Sequence, residues 1–460
     1  MNLENLIREN VKKLSPYSSA RDEFEQFTKQ MIYLDANENP FTNGMNRYPD
    51  PQQRELKAII GNKNNVSKDN ILLGNGSDEV LDLIFRAFCE PNQDNIITLP
   101  PTYGMYSVLA NVNAIENREV LLNREFQPNV DAILKAVDKN TKIIFLCSPN
   151  NPTGNSFSDS SVIKILNQFK GLVVLDEAYI DFTEEESWLS VLKDFPNLII
   201  TQTLSKAYAM AGLRIGILYA SKEIISVLNK IKPPYNLNGL SQETAIKKLN
   251  QSTMPAQVKK IITERKRLET VLARCSFVEK VFPSVANFIL IKVDDANFRY
   301  QQFLENGVVV RNRSNQPLCE NCLRISVGTK EETEQIIELL KTHNKKQIVL
   351  YLIVGFSNTA IILAAYYLAL LGFGFNYIGA SLFSTLVGIP IGFKAHGKLV
   401  FNNPGLFWRY VINFGFNFVI NTALIAWVEV YVGPAWAPIV LLPVTTISSY
   451  LLMKYFVFVK

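Results

Sequence analysis

The sequence predicts two structural regimes in series. Residues 1–344 read as an α/β protein with a mostly parallel sheet and a smaller α/β domain, and residues 345–460 as an all-α bundle of four membrane-crossing helices. Three observations predict this. Short runs that are apolar on both faces recur between turn residues and alternate with helix-like stretches, the pattern of a parallel sheet covered on both sides. From Ile231-Lys232-Pro233-Pro234-Tyr235 the texture changes to a long charged helix and isolated strand-like runs. Beyond residue 344 charge nearly vanishes: Lys345, Lys346, Lys394, Lys398, Arg409, Lys454 and Lys460 face the single acid Glu429. The net charge of +5 therefore belongs to the tail, and no basic face in the first part argues for nucleic acid.

Taken in order, a charged stretch over 1–30 gives way to an extended segment, Asn37-Glu38-Asn39-Pro40 among it, that would lie over a site. The N-terminus lacks an apolar leader core, so no cleaved export signal is expected. A helix is expected over 53–60. The run 71–73 leads into Gly74-Asn75-Gly76-Ser77 and a helical pattern over 80–88. Such a turn can aim the free amides of a helix N-terminus at an anion, and by itself reads equally well as a plain strand-to-helix turn. Strands are expected at 96–99, 143–147, 172–175, 198–200 and 215–219, with a helix over 162–169. These form a large domain of about 45–232. A small domain of 1–44 and 233–344 would hold a helix over 257–274, strands at 288–293 and 308–311, the segment 322–328 and a helix over 331–341.

Ligands of open α/β sheets gather at the carboxyl ends of the strands, and the distinctive residues fall there. Run 143–147 is followed by Asn150-Asn151, run 172–175 by Asp176 with Tyr179 three residues on, and run 198–200 by Thr203, Ser205 and Lys206. Lys206 is a nitrogen nucleophile between phosphate-binding groups, Ser205 and Arg214, which suits an aldehyde cofactor carrying a phosphate, namely pyridoxal phosphate. An isolated Ser-Lys pair is commonly a surface feature, and Asp176 alone reads as well as a helix N-cap. An acid for a pyridine nitrogen, amide and phenol donors for a ring oxygen, and a lysine, at three adjacent strand ends, are much harder to explain structurally. Arg311 and Arg324 come from strand ends of the small domain, and Arg324, between Leu323 and Ile325, suits bidentate carboxylate recognition.

The chain has two histidines, which leaves little room for a zinc site or a Ser-His-Asp triad. Among five cysteines, Cys319 and Cys322 are spaced C-x-x-C with no second pair, so reduced thiols are the default and a zinc or redox role the alternative.

Seven motifs in order, NENP (37–40), RYPDPQ (47–52), PPTYGMYSV (100–108), SPNNPTG (148–154), DEAYIDF (176–182), TLSKAYAMAGLR (203–214) and CLRISVGT (322–329), closely resemble the fold-type I pyridoxal-phosphate aminotransferases, and within them the histidinol-phosphate group. The resemblance implies pyridoxal 5'-phosphate joined to Lys206 as a Schiff base. Asp176 would pair with the ring nitrogen, Asn151 and Tyr179 would bond the ring oxygen, and Tyr103 would stack on the ring. Thr203, Ser205, Arg214 and the amides of Gly76 and Ser77 would hold the phosphate, with Tyr48 reaching it from a second subunit of a homodimer. Arg324 would take the α-carboxylate of glutamate or 2-oxoglutarate, and Arg311 with Tyr17 the phosphate of a phosphorylated amine or ketone, with Asn37 nearby as a further substrate contact.

The tail carries apolar runs at 348–371, 375–393, 410–430 and 435–453, each long enough to cross a hydrocarbon core roughly 30 Å thick. Its basic residues flank one side only, which by the positive-inside rule places both termini and the enzyme part in the cytosol, at the inner membrane of the cell. Gly355-Phe356-Ser357-Asn358 echoes Phe414-Gly415-Phe416-Asn417, and Gly397-Lys398-Leu399-Val400-Phe401 echoes Lys454-Tyr455-Phe456-Val457-Phe458. This layout resembles the GtrA-like four-helix family linked to polyprenyl-phosphate sugars. Asn413, Asn417 and Asn421 share one helix face, suited to bonding between helices or to a substrate path.

Overall fold

The computed structural model describes residues 3–15, 32–251, 253–375, 377–401, 405–432 and 437–458. The chain divides into two compact units, Met1–Arg274 with Val278–Thr333, and Cys275–Phe277 with Glu334–Lys460.

The first unit is built on a seven-stranded sheet of β1 (Ile71–Asn75), β2 (Asn95–Thr98), β3 (Glu116–Glu119), β4 (Thr141–Cys147), β5 (Leu172–Asp176), β6 (Leu198–Thr203) and β7 (Ile215–Tyr219), in the order β1-β7-β6-β5-β4-β2-β3. All pairings from β3 to β6 are parallel, and β7 runs antiparallel to both of its neighbours. Successive side chains on a strand point to opposite faces. Leu73, Ile144, Leu146, Val173, Leu175 and Ile200 accordingly join one core, while Leu72, Ile143, Phe145, Leu172, Val174 and Ile199 join the other. Burial on both faces is why these runs lack any polar alternation; each such side chain contributes roughly 1.5–3 kcal/mol. The sheet bears out the mostly parallel reading. It adds β3, whose sequence Glu-Asn-Arg-Glu carries no apolar signal because an edge strand tolerates charge.

A second sheet of β8 (Val278–Val281), β9 (Phe288–Val293), β10 (Arg311–Asn312) and β11 (Cys322–Ser326) is antiparallel, in the order β10-β11-β9-β8. The long charged helix is Met254–Leu272.

One boundary differs from expectation. The helix expected to end at 341 continues as a single 38-residue helix, Lys330–Tyr367. The intervening Thr342 to Lys346 contains no glycine or proline to stop it, so the change from charged to apolar side chains marks no break in the backbone.

The second unit is helical, with Tyr377–Ala395, Phe407–Val432 and Ala437–Leu452 following. Tyr351, Val354, Val400, Tyr410, Met453, Val457 and Phe458 form its core. The Phe458 ring stacks on Phe401 at 4.9 Å. A Cβ at Gly392 would lie 2.5 Å from the Tyr410 hydroxyl, so this small residue permits close helix packing. Phe356, Leu371, Leu386 and Val430 are exposed, and apolar exposure on this scale marks an interacting surface. Among the described residues one helix, Val349–Gly372, is long and apolar enough to cross a membrane. Asn413 is buried; the side chains of Asn417 and Asn421, the rest of the predicted stripe, lie outside the described residues.

Candidate active site

Parallel pairing sets the carboxyl ends of three strands side by side. Cys147 of β4 is opposite Asp176 of β5, and Asp176 is opposite Thr201 of β6. The loops leaving these ends, with the turn after β1, Tyr103 and the arginines of the second sheet, enclose a cleft of about 410 Å³. Ser77, Tyr103, Asn151, Asp176, Tyr179, Thr203, Ser205, Lys206, Arg214, Arg311 and Arg324 all line it. Eleven residues chosen from one-dimensional motifs therefore converge on one cleft.

At the base of the cleft, Asp176 is buried. It accepts the Tyr106 hydroxyl at 2.7 Å and the Ala178 amide at 3.1 Å. Burial pushes its pKa up, and the Tyr106 bond opposes the rise. A cationic ring N–H is the partner such a carboxylate lacks. Asn151 Nδ2 donates to the Tyr179 hydroxyl at 3.4 Å, and Asn151 Oδ1 accepts from Arg324 Nη1. Lys206 Nζ stands 5.7 Å from the centre of the Tyr179 ring. Its tip is open to the cleft, but the surrounding protein, and then the Arg324 charge, disfavour its ammonium form and lower its pKa.

The opposite end of the cleft is an anion cradle. Gly76, at φ +81°, caps the helix Ser77–Phe88, and its amide donates to the Arg214 carbonyl at 2.8 Å. A Cβ at Gly76 would lie 2.5 Å from Arg214 Nη2, so the guanidinium rests over the turn. The Ser205 amide donates to Thr203 Oγ1 at 3.1 Å, and Thr203 Oγ1 donates to the Ile215 carbonyl at 3.2 Å. Hydroxyls, a guanidinium and helix-end amides fit a phosphate, and a primary amine lies between that cradle and a buried carboxylate. The donor set fits pyridoxal phosphate.

The expected Gly76 amide does not face the cleft, being taken up by the Arg214 and Gly74 carbonyls, and two expected residues are placed elsewhere. Tyr48 and Asn37 line a separate hollow of about 900 Å³, where Tyr48 stacks on Tyr235 at 4.5 Å. Tyr17 lies outside the described residues. The motifs do not single out two further cleft residues, Asp78 and Arg313, nor Tyr106, which is fully buried and reaches the site only through its bond to Asp176. Asp78 accepts the Tyr103 hydroxyl at 3.1 Å and lies 3.7 Å from Arg214 Nη2; its position in the first turn of a helix was the available clue. Tyr106 sits in the helix Met105–Val112 and resembled an ordinary core aromatic. Arg313 lies two residues beyond Arg311, just past the end of the two-residue strand β10, so no alternating pattern marks it. Cys319 and Cys322 are buried free thiols, and among the described residues no cluster of potential metal ligands exists.

Residues 22–340 match the aminotransferase class I and II family. The chain belongs to that family. Residues 350–458 match the GtrA/DPMS transmembrane domain. Among curated relatives, the histidinol-phosphate aminotransferase of Flavobacterium psychrophilum is 68% identical over 340 residues, spanning 74% of this chain and 98% of the relative. Among solved structures, the histidinol-phosphate aminotransferase of Clostridium acetobutylicum has a TM-score of 0.60 and 25% identity, covering 65% of this chain and 90% of that one. The histidinol-phosphate aminotransferase of Sinorhizobium meliloti, in complex with pyridoxal-5'-phosphate, shares the fold at a TM-score of 0.59 and 24% identity, over 64% of this chain and 83% of that one. The aminotransferase fold and the GtrA-like tail expected from the motifs are thus both borne out.

Proposed function

We propose that this aminotransferase exchanges the amino group between glutamate/2-oxoglutarate and histidinol phosphate/imidazole-acetol phosphate, a step of histidine biosynthesis, while tethered to a membrane. The observation that carries the reading is the 68% identity to a histidinol-phosphate aminotransferase along nearly its whole length, joined to a cleft that sets arginines on one wall against Lys206.

Pyridoxal phosphate, when bound, supplies the aldehyde that carries the amino group and a ring that takes up the electron pair left by a departing proton. The chain's own groups do the rest. Asp176 holds the ring nitrogen in its protonated form, and Asn151 with Tyr179 orient the ring oxygen. Tyr103, which lines the same cleft, would pack on the ring. Ser77, Thr203, Ser205 and Arg214 would fix the phosphate, with Gly76 shaping the turn that presents them, joined by Tyr48 of the partner subunit in a homodimer. Lys206 Nζ, its ammonium form disfavoured, accepts the substrate Cα proton and returns it. Arg324 grips the α-carboxylate of glutamate; Arg311, Tyr17 and Asn37 meet the substrate phosphate.

The GtrA-like match and the one-sided basic residues support a division at residues 344 and 345. They also support four crossings with both termini in the cytosol, at the inner membrane. A second reading, favoured by the GtrA/DPMS match, gives the tail its own task in moving polyprenyl-phosphate sugars.

The test is turnover of imidazole-acetol phosphate with glutamate by the full-length, cofactor-loaded chain in detergent. Turnover is expected, and Lys206→Ala is expected to abolish both transfer and the absorbance band of the lysine-linked cofactor. A wild-type protein inert toward imidazole-acetol phosphate would refute the substrate, and an active Lys206→Ala variant would refute the site.

A further inference from the structure

We propose that Arg313 is a specificity-determining residue which, with Arg311 and Arg324, forms a three-guanidinium wall that selects a phosphate dianion over a carboxylate. The inference rests on the proposed use of this cleft for a phosphorylated substrate and assigns the discrimination to a named side chain.

Backbone geometry places the three together. Arg311 opens the two-residue strand β10 and Arg313 follows directly after its end, and both side chains reach the same cleft. Asn312 between them turns aside, its Nδ2 donating to Asn297 Oδ1 at 2.8 Å. Arg311 is directly opposite Arg324 in the antiparallel β10–β11 pair. All three arginines line the cleft that holds Lys206. Arg313 is held at its backbone, where its amide donates to the Cys322 carbonyl at 2.8 Å and the following Ser314 amide donates to Asn312 Oδ1 at 2.9 Å.

The wall is electrostatically incomplete. Like charges directly opposite across a strand pair are destabilising, and among the described residues none of the three arginines is ion-paired to a carboxylate. Nε of Arg313 and Nε of Arg324 are both buried without a hydrogen-bond partner. Burial, then the neighbouring charge of Arg311, lowers the pKa of Arg313; burial, then Arg313 itself, does the same to Arg324. An anion in the cleft relieves each of these costs.

The number of guanidiniums points to the kind of anion. A carboxylate is saturated by one guanidinium in a two-pronged contact, and carries one charge. A phosphate monoester carries close to two charges at neutral pH and three strong acceptor oxygens. Arg324 and Arg311 suffice for the two carboxylates of glutamate. The third guanidinium is surplus for that half of the reaction and matched to a phosphate.

The experiment uses the full-length, cofactor-loaded chain, in which the cradle around Arg214 is already filled. Arg313→Gln and Arg313→Lys are compared with wild type in each half-reaction separately, and inorganic phosphate binding is measured by calorimetry at pH 6 and pH 8. Arg313→Gln is expected to lower kcat/KM for imidazole-acetol phosphate by ~10- to 100-fold, mainly through KM, with a several-fold smaller loss for glutamate. Its affinity for inorganic phosphate should fall by a similar factor, most at pH 8 where the dianion prevails. Arg313→Lys should recover part of the loss, since an ammonium restores charge without the fork. Equal losses in the two half-reactions, or phosphate affinity unchanged by Arg313→Gln, would overturn the proposal. Should wild type turn over no imidazole-acetol phosphate, the proposed substrate falls, while the phosphate titration still decides for or against Arg313.

Discussion

Glu177, next to Asp176, offers a sharp test of how the end of β5 is held. Its carboxylate is buried. Oε2 accepts the Ser187 hydroxyl at 2.5 Å and Gln202 Nε2 at 2.9 Å, and Oε1 accepts the Trp188 amide at 2.8 Å. Even with these bonds, burial pushes its pKa from 4.5 to about 7. A difference of that size corresponds to about 3 kcal/mol between the two protonation states. Because the folded value lies above the unfolded one, the stability this group contributes is fully present below about pH 4.5 and lost as pH rises through 7. Glu177→Gln keeps the shape and cannot ionise, so it removes this pH dependence whatever it does to stability at one pH. For a unit of this size 3 kcal/mol is about 4 °C in Tm. Between pH 5 and pH 8 the variant should therefore gain on wild type by about that amount. Trp188 is the single tryptophan before residue 345, so with Trp408, Trp427 and Trp436 replaced by phenylalanine in both proteins its fluorescence in the full-length chain reports the melting of this segment. Parallel Tm profiles for the two proteins across that range would refute the reasoning.

Two further outcomes follow from the cradle and the arginine wall. A Cβ at Gly216 would collide with the Gly76 carbonyl and the Ser77 amide nitrogen. Gly216→Ala should therefore displace the turn and weaken cofactor binding at least ~10-fold, one lost charge-assisted hydrogen bond being worth about that; unchanged affinity in equilibrium dialysis would remove the Ser77 amide from the phosphate site. Arg324→Lys keeps the charge and loses the planar fork, so kcat/KM for glutamate should drop by about 2 kcal/mol, roughly 30-fold. A loss under threefold would exclude a two-pronged carboxylate contact.

Much of the site was legible because the sheet is buried on both faces. Runs 143–147, 172–175 and 198–200 announce themselves by unbroken apolarity, and the polar residues following them must then share one edge. Where burial is one-sided or absent the signal fails. β3 is a charged edge, and β10 is only two residues long, too short for its alternation to reveal Arg313. Tyr106 was hidden for another reason: its ring stacks on Phe145 at 4.8 Å as a core aromatic would, and only the tertiary fold brings its hydroxyl to Asp176. The unbroken helix Lys330–Tyr367 shows the converse, a sharp change in composition with no change in backbone.

The contact between Asn151 and Arg324 bears on how such a site empties. An enzyme that must discharge one product before admitting the next substrate works against its own grip, since a departing carboxylate strands a half-buried cation at considerable cost. Here the side-chain oxygen of Asn151 receives the guanidinium at rest. If Arg324 takes the substrate carboxylate as proposed, each arriving acid competes with a tethered amide and each departing one is replaced by it. Affinity is lowered a little at entry, and the exit barrier falls with it, a sensible exchange for a catalyst whose cycle requires two molecules to use one seat in turn.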